Sequence, residues 1–262
     1  MASRPTNALP VLYNELIPIS RHDHKNWRFR LQDKLPFMSE IHAIPLAVEE
    51  FGMAQRNFPI VFSSGPNPVP LALMGLNDGV NVFFDEEGNC RESHIYLPAY
   101  IRRYPFMLAK IDPKSEDMSL CVDPSRGMLG EFEDGEPLFE GDEPSEFTKN
   151  ILGFCEQFAI SAQRTNDFVA ELMEHKLLID GEVAIQPNDA SKPYVYRSFQ
   201  IVSEERLKEL RGDVLRKMVK SGLLPLVYAH LMSLSLVQDI FQRQAILGRI
   251  PPLPENEQNP SA

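Results

Sequence analysis

The spacing of apolar residues changes once along this chain, close to residue 144, and a fold built from one class of secondary structure cannot accommodate both patterns. Downstream, Phe147, Ile151, Phe154, Phe158, Ala162, Thr165, Phe168 and Leu172 recur every three or four residues. That spacing puts them on one stripe of a helix of about seven turns. Pro144 and its neighbouring acids suit the first turn, where N–H groups lack partners and the dipole favours negative charge. Upstream, residues 44–123 carry the short runs PIVFSS, PVPLALMGL, VNVFFDEEG and MSLCVD. Apolar runs of this length, bounded by turn formers, read as strands. Asn77-Asp78-Gly79 and Asp85-Glu86-Glu87-Gly88 supply turns, glycine taking the positive φ. The expected class is α+β: a mostly antiparallel N-terminal sheet with packed helices, then a largely helical C-terminal half.

The flanking segments complete this plan. Residues 1–35 read as an N-terminal arm or edge strand, packed on the body through Trp27 and Phe29. A single domain is expected over residues 36–248, opening with a short amphipathic helix in VEEFGMAQRNF. Residues 131–146, EFEDGEPLFEGDEPSE, hold eight carboxylates and no cation. They do not match the ligand spacing of a calcium loop, so a solvated connecting loop is expected rather than a cation or basic-partner surface. Residues 181–202 suggest a hairpin around Gln186-Pro187-Asn188-Asp189. SEERLKELRGDVLRKMVKSG gives two short helices, Ser203 capping the first and Gly222 closing the second. One last helix is expected over residues 225–247, and residues 249–262 form a Pro-rich, disordered tail.

Composition narrows the function classes. A net charge of -11 over 262 residues argues against nucleic acid or an anionic membrane as the default partner. Cys90, Cys121 and Cys155 show no CxxC spacing, which supports neither a disulfide framework nor a zinc site and fits a reducing compartment. The first 20 residues lack the apolar core of a signal peptide, and no uninterrupted apolar run approaches the roughly 20 residues that cross a bilayer. A soluble, cytoplasmic protein is expected.

Motifs of common chemistry are absent: GxGxxG, a GKS/T phosphate loop, a GxSxG elbow and HExxH do not occur. On a strand, His22-Asp23-His24 would put both imidazoles on one face, and a third ligand such as His42 or Asp33 would make a metal site. The alternative is an incidental HxH in a polar arm, and no metal is expected. His230 lies at the margin of the last helical stripe, where a hydrogen-bonded core histidine competes with a catalytic acid/base. Cys121, in MSLCVD, reads as a small core residue; a nucleophile would need a base beside it.

Residues 96–108, YLPAYIRRYPFML, set Arg102 and Arg103 among aromatic, aliphatic and proline residues. If Pro98 starts a helical turn, Tyr100 and Tyr104 share a face; on a strand the two arginines point oppositely. Either way a guanidinium should lie against aromatic rings. Arg102 and Arg103 then serve a structural role, paired with Asp123, Asp112 or the acidic loop, or form a site for a carboxylate or phosphate. An internal carboxylate is expected opposite at least one of them.

Taken in order, PLAVEEFGMAQRNFPIVFS, ALMGLNDGVNVFFDEEG, YLPAYIRRYPFML, LCVD, GEPLFEGDEPSEF, QRTNDFVAEL, FQIVSEERLKEL and GLLPLVYAHLMSLS resemble the bacterial SapC family, a name tied to surface-layer proteins. The resemblance runs from His42 to Tyr228, is less clear over the N-terminal arm, and lends nothing to His22 and His24. It implies an accessory or binding protein in the handling, secretion or attachment of surface-layer or exported polypeptides, with a protein partner. Members often accompany flavin-dependent halogenase-like and cupin-like proteins in bacterial gene neighbourhoods. The resemblance brings no catalytic residues and no cofactor. A peptide-uptake permease of the same name is unrelated, since a permease must span the membrane. The alternative is an enzyme that modifies a peptide or sugar, with Arg102 holding a carboxylate and His230 as acid/base.

Overall fold

The computed structural model describes residues 9–111, 117–187 and 192–251. Its largest sheet has five strands in the order Leu178–Asp180, Phe199–Val202, Ile60–Ser63, Pro70–Leu73, Ala43–Pro45, every pair antiparallel. The class is α+β. The sheet joins the two halves of the chain, because Ile60–Ser63 pairs with Phe199–Val202 through Ser63↔Phe199 and Phe62↔Gln200. Ile60, Val61 and Phe62 are all fully buried, as a central strand covered on both faces requires. The helix Leu223–Ser233 lies across this strand and Phe199–Val202.

The helix Glu146–Glu174 confirms the change of period, and its stripe buries Phe168 and Leu172. Complete burial of such a side chain contributes about 1.5–3 kcal/mol. Its cap is Ser145, whose Oγ accepts from the Thr148 N–H at 3.1 Å. Pro144 lies outside the first turn, paired with Phe139 in the hairpin Phe139–Glu140/Glu143–Pro144. Ser203 and Gly222 cap as expected, Gly222 at φ 78°. The hairpin Val183–Ile185/Tyr194–Tyr196 also forms, although Asn188 and Asp189 of its loop lie outside the described residues, as do residues 252–262 of the Pro-rich tail.

Three expectations need correction. The last helix is two, Leu223–Ser233 and Leu236–Ile246. At the break the Ser233 hydroxyl donates to the His230 carbonyl (2.6 Å) and the Ser235 hydroxyl to the Met232 carbonyl (2.9 Å), competing with the helical ladder. Taken together, Leu223–Ile246 is long and apolar enough, by length and composition only, to cross a membrane; its inner side packs in the core through Val227, His230 and Ile240. VNVFFDEEG forms a single bridge, Phe84↔Cys90, and no longer strand. Asn81 prevents it: its Oδ1 accepts from the Phe83 and Phe84 N–H groups, and its Nδ2 donates to Met38 and Ile41 carbonyls.

The acidic segment is the third. It pairs with the arm, whose strand Arg28–Phe29 is the middle strand between Leu129–Gly130 and Glu136–Pro137, while the arm's Ile17–Pro18 is an edge strand beside Ser119–Val122, as expected. Lys25 meets Asp142 at 3.1 Å, Arg30 meets Asp134, and Arg28 donates to the Gly135 carbonyl at 2.8 Å. Two of the eight carboxylates of residues 131–146, Asp134 and Asp142, thus meet cations of RHDHKNWRFR. Trp27, Phe29 and Phe147 pack here on a second core of Phe106, Val122, Leu129, Leu138 and Cys155.

Candidate functional site

Residues 96–108 fold against two buried carboxylates, Glu50 and Asp123. Pro98 opens the single turn Ala99–Arg102, and after the cis bond between Tyr104 and Pro105 the chain enters the strand Phe106–Ala109. The Glu50 Oε1 accepts from the Ala99 N–H (2.6 Å) and the Tyr96 hydroxyl (2.8 Å), while its Oε2 accepts from the Ala47 N–H (3.0 Å). A carboxylate belongs at the start of a turn, where backbone donors lack helical partners. Burial and the charge of Glu50 push the Tyr96 hydroxyl up to about 12. Tyr100 and Tyr104 do share a face: both rings meet Tyr13 edge-on, their centroids 6.5 and 5.2 Å from its own. Tyr100 donates to the Val11 carbonyl, and Tyr104 to Asp123.

The two arginines diverge, since successive residues on a helical turn are about 100° apart. Arg103 is 7% exposed, its guanidinium carbon 4.1 Å from the ring centre of Phe158 and 4.4 Å from that of Tyr100. Its Nε has no hydrogen-bond partner among the described residues. Arg102 is exposed; its Nε donates to the Leu97 carbonyl (3.0 Å) and an Nη2 hydrogen approaches the Tyr96 oxygen (3.5 Å). An arginine has five N–H donors, so three remain.

The expected carboxylate partner is therefore replaced by ring faces and a carbonyl: among the described residues neither arginine forms an ion pair. Asp112 lies outside the described residues, and Asp123 is engaged elsewhere, accepting from the Asn14 and Ser125 N–H groups at 2.8 Å each. Burial opposes the charge on Asp123, but bonds from Ser125, Asn14 and Tyr104 outweigh it and hold its carboxyl below the usual range.

Arg102 stands at the mouth of a cleft of about 300 Å³. Its buried lining is Phe84, Gly88, Ile101, Tyr104 and Met128, while Leu31, Asp33, Cys90 and Arg102 are its exposed members. The wall is fixed by Gly88, whose N–H and carbonyl bond to the Asp85 carbonyl and the Leu35 N–H. A largely apolar pocket with one oriented cation, Arg102, and one carboxylate, Asp33, in its lining suits an apolar group whose anionic end meets Arg102. A larger groove of about 550 Å³ opens beside Lys25, Trp27, Arg28 and Phe132, but Lys25 and Arg28 are already engaged by the acidic segment.

The SapC family model matches residues 19–240. The chain belongs to the SapC family. This match begins well before His42 and takes in the arm, with His22, His24 and Trp27. No curated protein and no solved structure matches the chain.

Other residues of this SapC chain that the sequence singles out sit apart from the cleft. His22 and His24 lie on the helical turn Arg21–His24, where the two rings part, and on no strand. His22 is exposed and bonded to Asp23, which raises its pKa. His24 is buried, its Nδ1 at 3.0 Å from the Ser20 nitrogen and its ring edge-on to Trp27. His42 meets Asp78, while Asp33 is on the cleft; no three His, Cys, Asp or Glu among the described residues converge on a metal position. Cys121 is buried, and burial raises its thiol pKa, the reverse of activation. His230 is fully buried: its Nδ1 is 2.7 Å from the Ile60 carbonyl, and its Nε2 accepts from the Val202 N–H at 3.0 Å. Both nitrogens are engaged, and burial lowers its pKa to about 4.

Sequence reasoning missed Glu50. In VEEFGMAQ it reads as a solvated charge on a short helix; the nearby Ala47 and Ala99 donors that need it are 3 and 49 residues away.

Proposed function

We propose that this SapC-family protein is a binding protein whose Arg102 cleft takes the anionic end, a free C-terminal carboxylate, of an apolar polypeptide segment. The observation that carries this reading is Arg102 itself, with three N–H donors unengaged by the described residues at the edge of an apolar cleft. The geometry is prepared, because the bond to Leu97 and the rings of Tyr96 and Phe154 orient the guanidinium before a ligand arrives. The family's tie to surface layers makes a surface-layer or exported polypeptide the natural client. Three free thiols, Cys90 exposed among them, fit handling in the reducing cytoplasm before export.

The enzyme reading needs His230 beside Arg102. That ring is enclosed between Ile60 and Val202 and does not line the cleft, so the binding reading is preferred. The test is a thermal-shift series with carboxylates and phosphates on the wild type and Arg102→Ala. Stabilisation of the wild type alone supports the site; equal responses in both proteins remove Arg102 from it.

A further inference from the structure

The chain is acidic overall, yet a second cluster of cations, besides that of the arm, lies in its C-terminal half. Residues 206–220 hold Arg206, Lys208, Arg211, Arg216, Lys217 and Lys220 against only Glu209 and Asp213. Arg216, Lys217 and Lys220 lie along one stripe of the helix Gly212–Ser221, and with Asp213 and Ser221 they line a shallow surface depression. Lys217 turns toward Glu171 at 3.6 Å. Arg216 and Lys220 have no ion-pair partner among the described residues, and both are exposed.

Gly222 then reverses the chain into Leu223–Ser233, and the two helices pack as a hairpin. The outer positions of the second helix are Pro225, Tyr228 and Met232, none of them charged, and Tyr228 and Met232 are 43% and 67% exposed. Val219, 58% exposed, lies on the flank of the first helix away from Lys217. Lys208, from the helix Glu204–Lys208, pairs with Glu204 at 3.0 Å and lies within electrostatic reach of Tyr228. Exposed apolar side chains on an uncharged helix face, followed in the fold by two cations with no ion pair among the described residues, Arg216 and Lys220, have the composition of an interfacial membrane surface.

We infer that the helix pair of residues 212–233 docks on an anionic phospholipid bilayer, with Val219, Tyr228 and Met232 entering the headgroup boundary and Arg216 and Lys220 meeting lipid phosphates. Charge complementarity selects this occupant. The net charge of -11 disfavours approach to an anionic surface by the chain as a whole, so binding through this face orients the molecule. The mode is peripheral: His230 and Ser233 on the same helix remain bonded to the sheet.

The experiment is co-sedimentation with vesicles of pure phosphatidylcholine and with vesicles that also carry phosphatidylglycerol. Wild type, Arg216→Glu/Lys220→Glu and Met232→Asp are compared, each checked for an unchanged thermal midpoint. The expected result is binding only to the phosphatidylglycerol vesicles, weakened by salt. A cation near an anionic leaflet is worth about fivefold in partitioning, so the double reversal lowers binding roughly 30-fold or more. Met232→Asp lowers it as well. Absence of binding at low salt, equal binding to both vesicle types, or unchanged binding by the variants overturns the inference. Concentration-dependent self-association that Met232→Asp abolishes, without vesicle binding, overturns it in favour of a second copy of this chain.

Discussion

Acidification should weaken this fold through His230, and the loss can be worked from its two hydrogen bonds. The neutral ring donates from Nδ1 to the Ile60 carbonyl and accepts at Nε2 from the Val202 N–H, joining the helix Leu223–Ser233 to two neighbouring strands of the main sheet. A protonated ring cannot accept from Val202, and burial already disfavours its charge, so the folded-state pKa falls from 6.5 to about 4. The unfolded chain then binds a proton that the folded chain does not. The resulting stability is complete above pH 6.5, declines as pH falls, and is gone below about pH 4. Over that window its size is about 3 kcal/mol. In His230→Leu the Ile60 carbonyl and the Val202 N–H both lose their partner, at about 1–3 kcal/mol each, so the variant should be about 4 kcal/mol less stable at pH 7.5. Urea denaturation at pH 7.5 and pH 4.5 measures both quantities. The wild type should lose more stability between these values than His230→Leu, and the difference isolates this ring from the other titrating groups. Equal pH dependence in the two proteins, or a loss below about 1 kcal/mol at pH 7.5, would refute the reasoning.

Gly88 should tolerate no side chain. It has φ +85°, and an added Cβ would sit 2.3 Å from the backbone of Leu35 and Pro36. Gly88→Ala should therefore cost about 3 kcal/mol or more in urea denaturation and abolish ligand-induced thermal shifts, because it parts the cleft wall; a variant of wild-type stability contradicts the described wall. Arg103→Met should change stability by no more than about 1 kcal/mol, since lost ring contacts are offset by removal of a buried charge with no carboxylate partner among the described residues. A loss of several kcal/mol in the same assay would show that Arg103 has an anionic partner in the folded protein.

Features that depend on neighbours in sequence were legible. The stripe from Phe147 to Leu172 and the Ser203 and Gly222 caps follow from spacing and local chemistry, while after Pro98 a turn and a strand were both open. What could not be read depends on long-range pairing. Phe62 meets Gln200 across the chain, and that register leaves no local trace. The cations of the arm and the carboxylates of residues 131–146 were each visible, but the strand pairing that joins them was not. At the cleft, the arginines were recognisable and their partners were not. A carboxylate was expected opposite Arg102 or Arg103, whereas Glu50 acts one step away, through Tyr96 and the Ala99 N–H, and leaves Arg102 open.

The central claim is that Arg102 receives an anionic chain end, and calorimetric titration of one peptide tests it most directly. The peptide ends in apolar residues and is used with a free and with an amidated C-terminus. Hydrogen bonds to a charged group are worth about 1.5–3 kcal/mol, so amidation, or Arg102→Ala with the free peptide, should weaken binding roughly 10- to 100-fold. Equal affinity for the free and amidated forms, or an affinity that survives Arg102→Ala, would contradict the account.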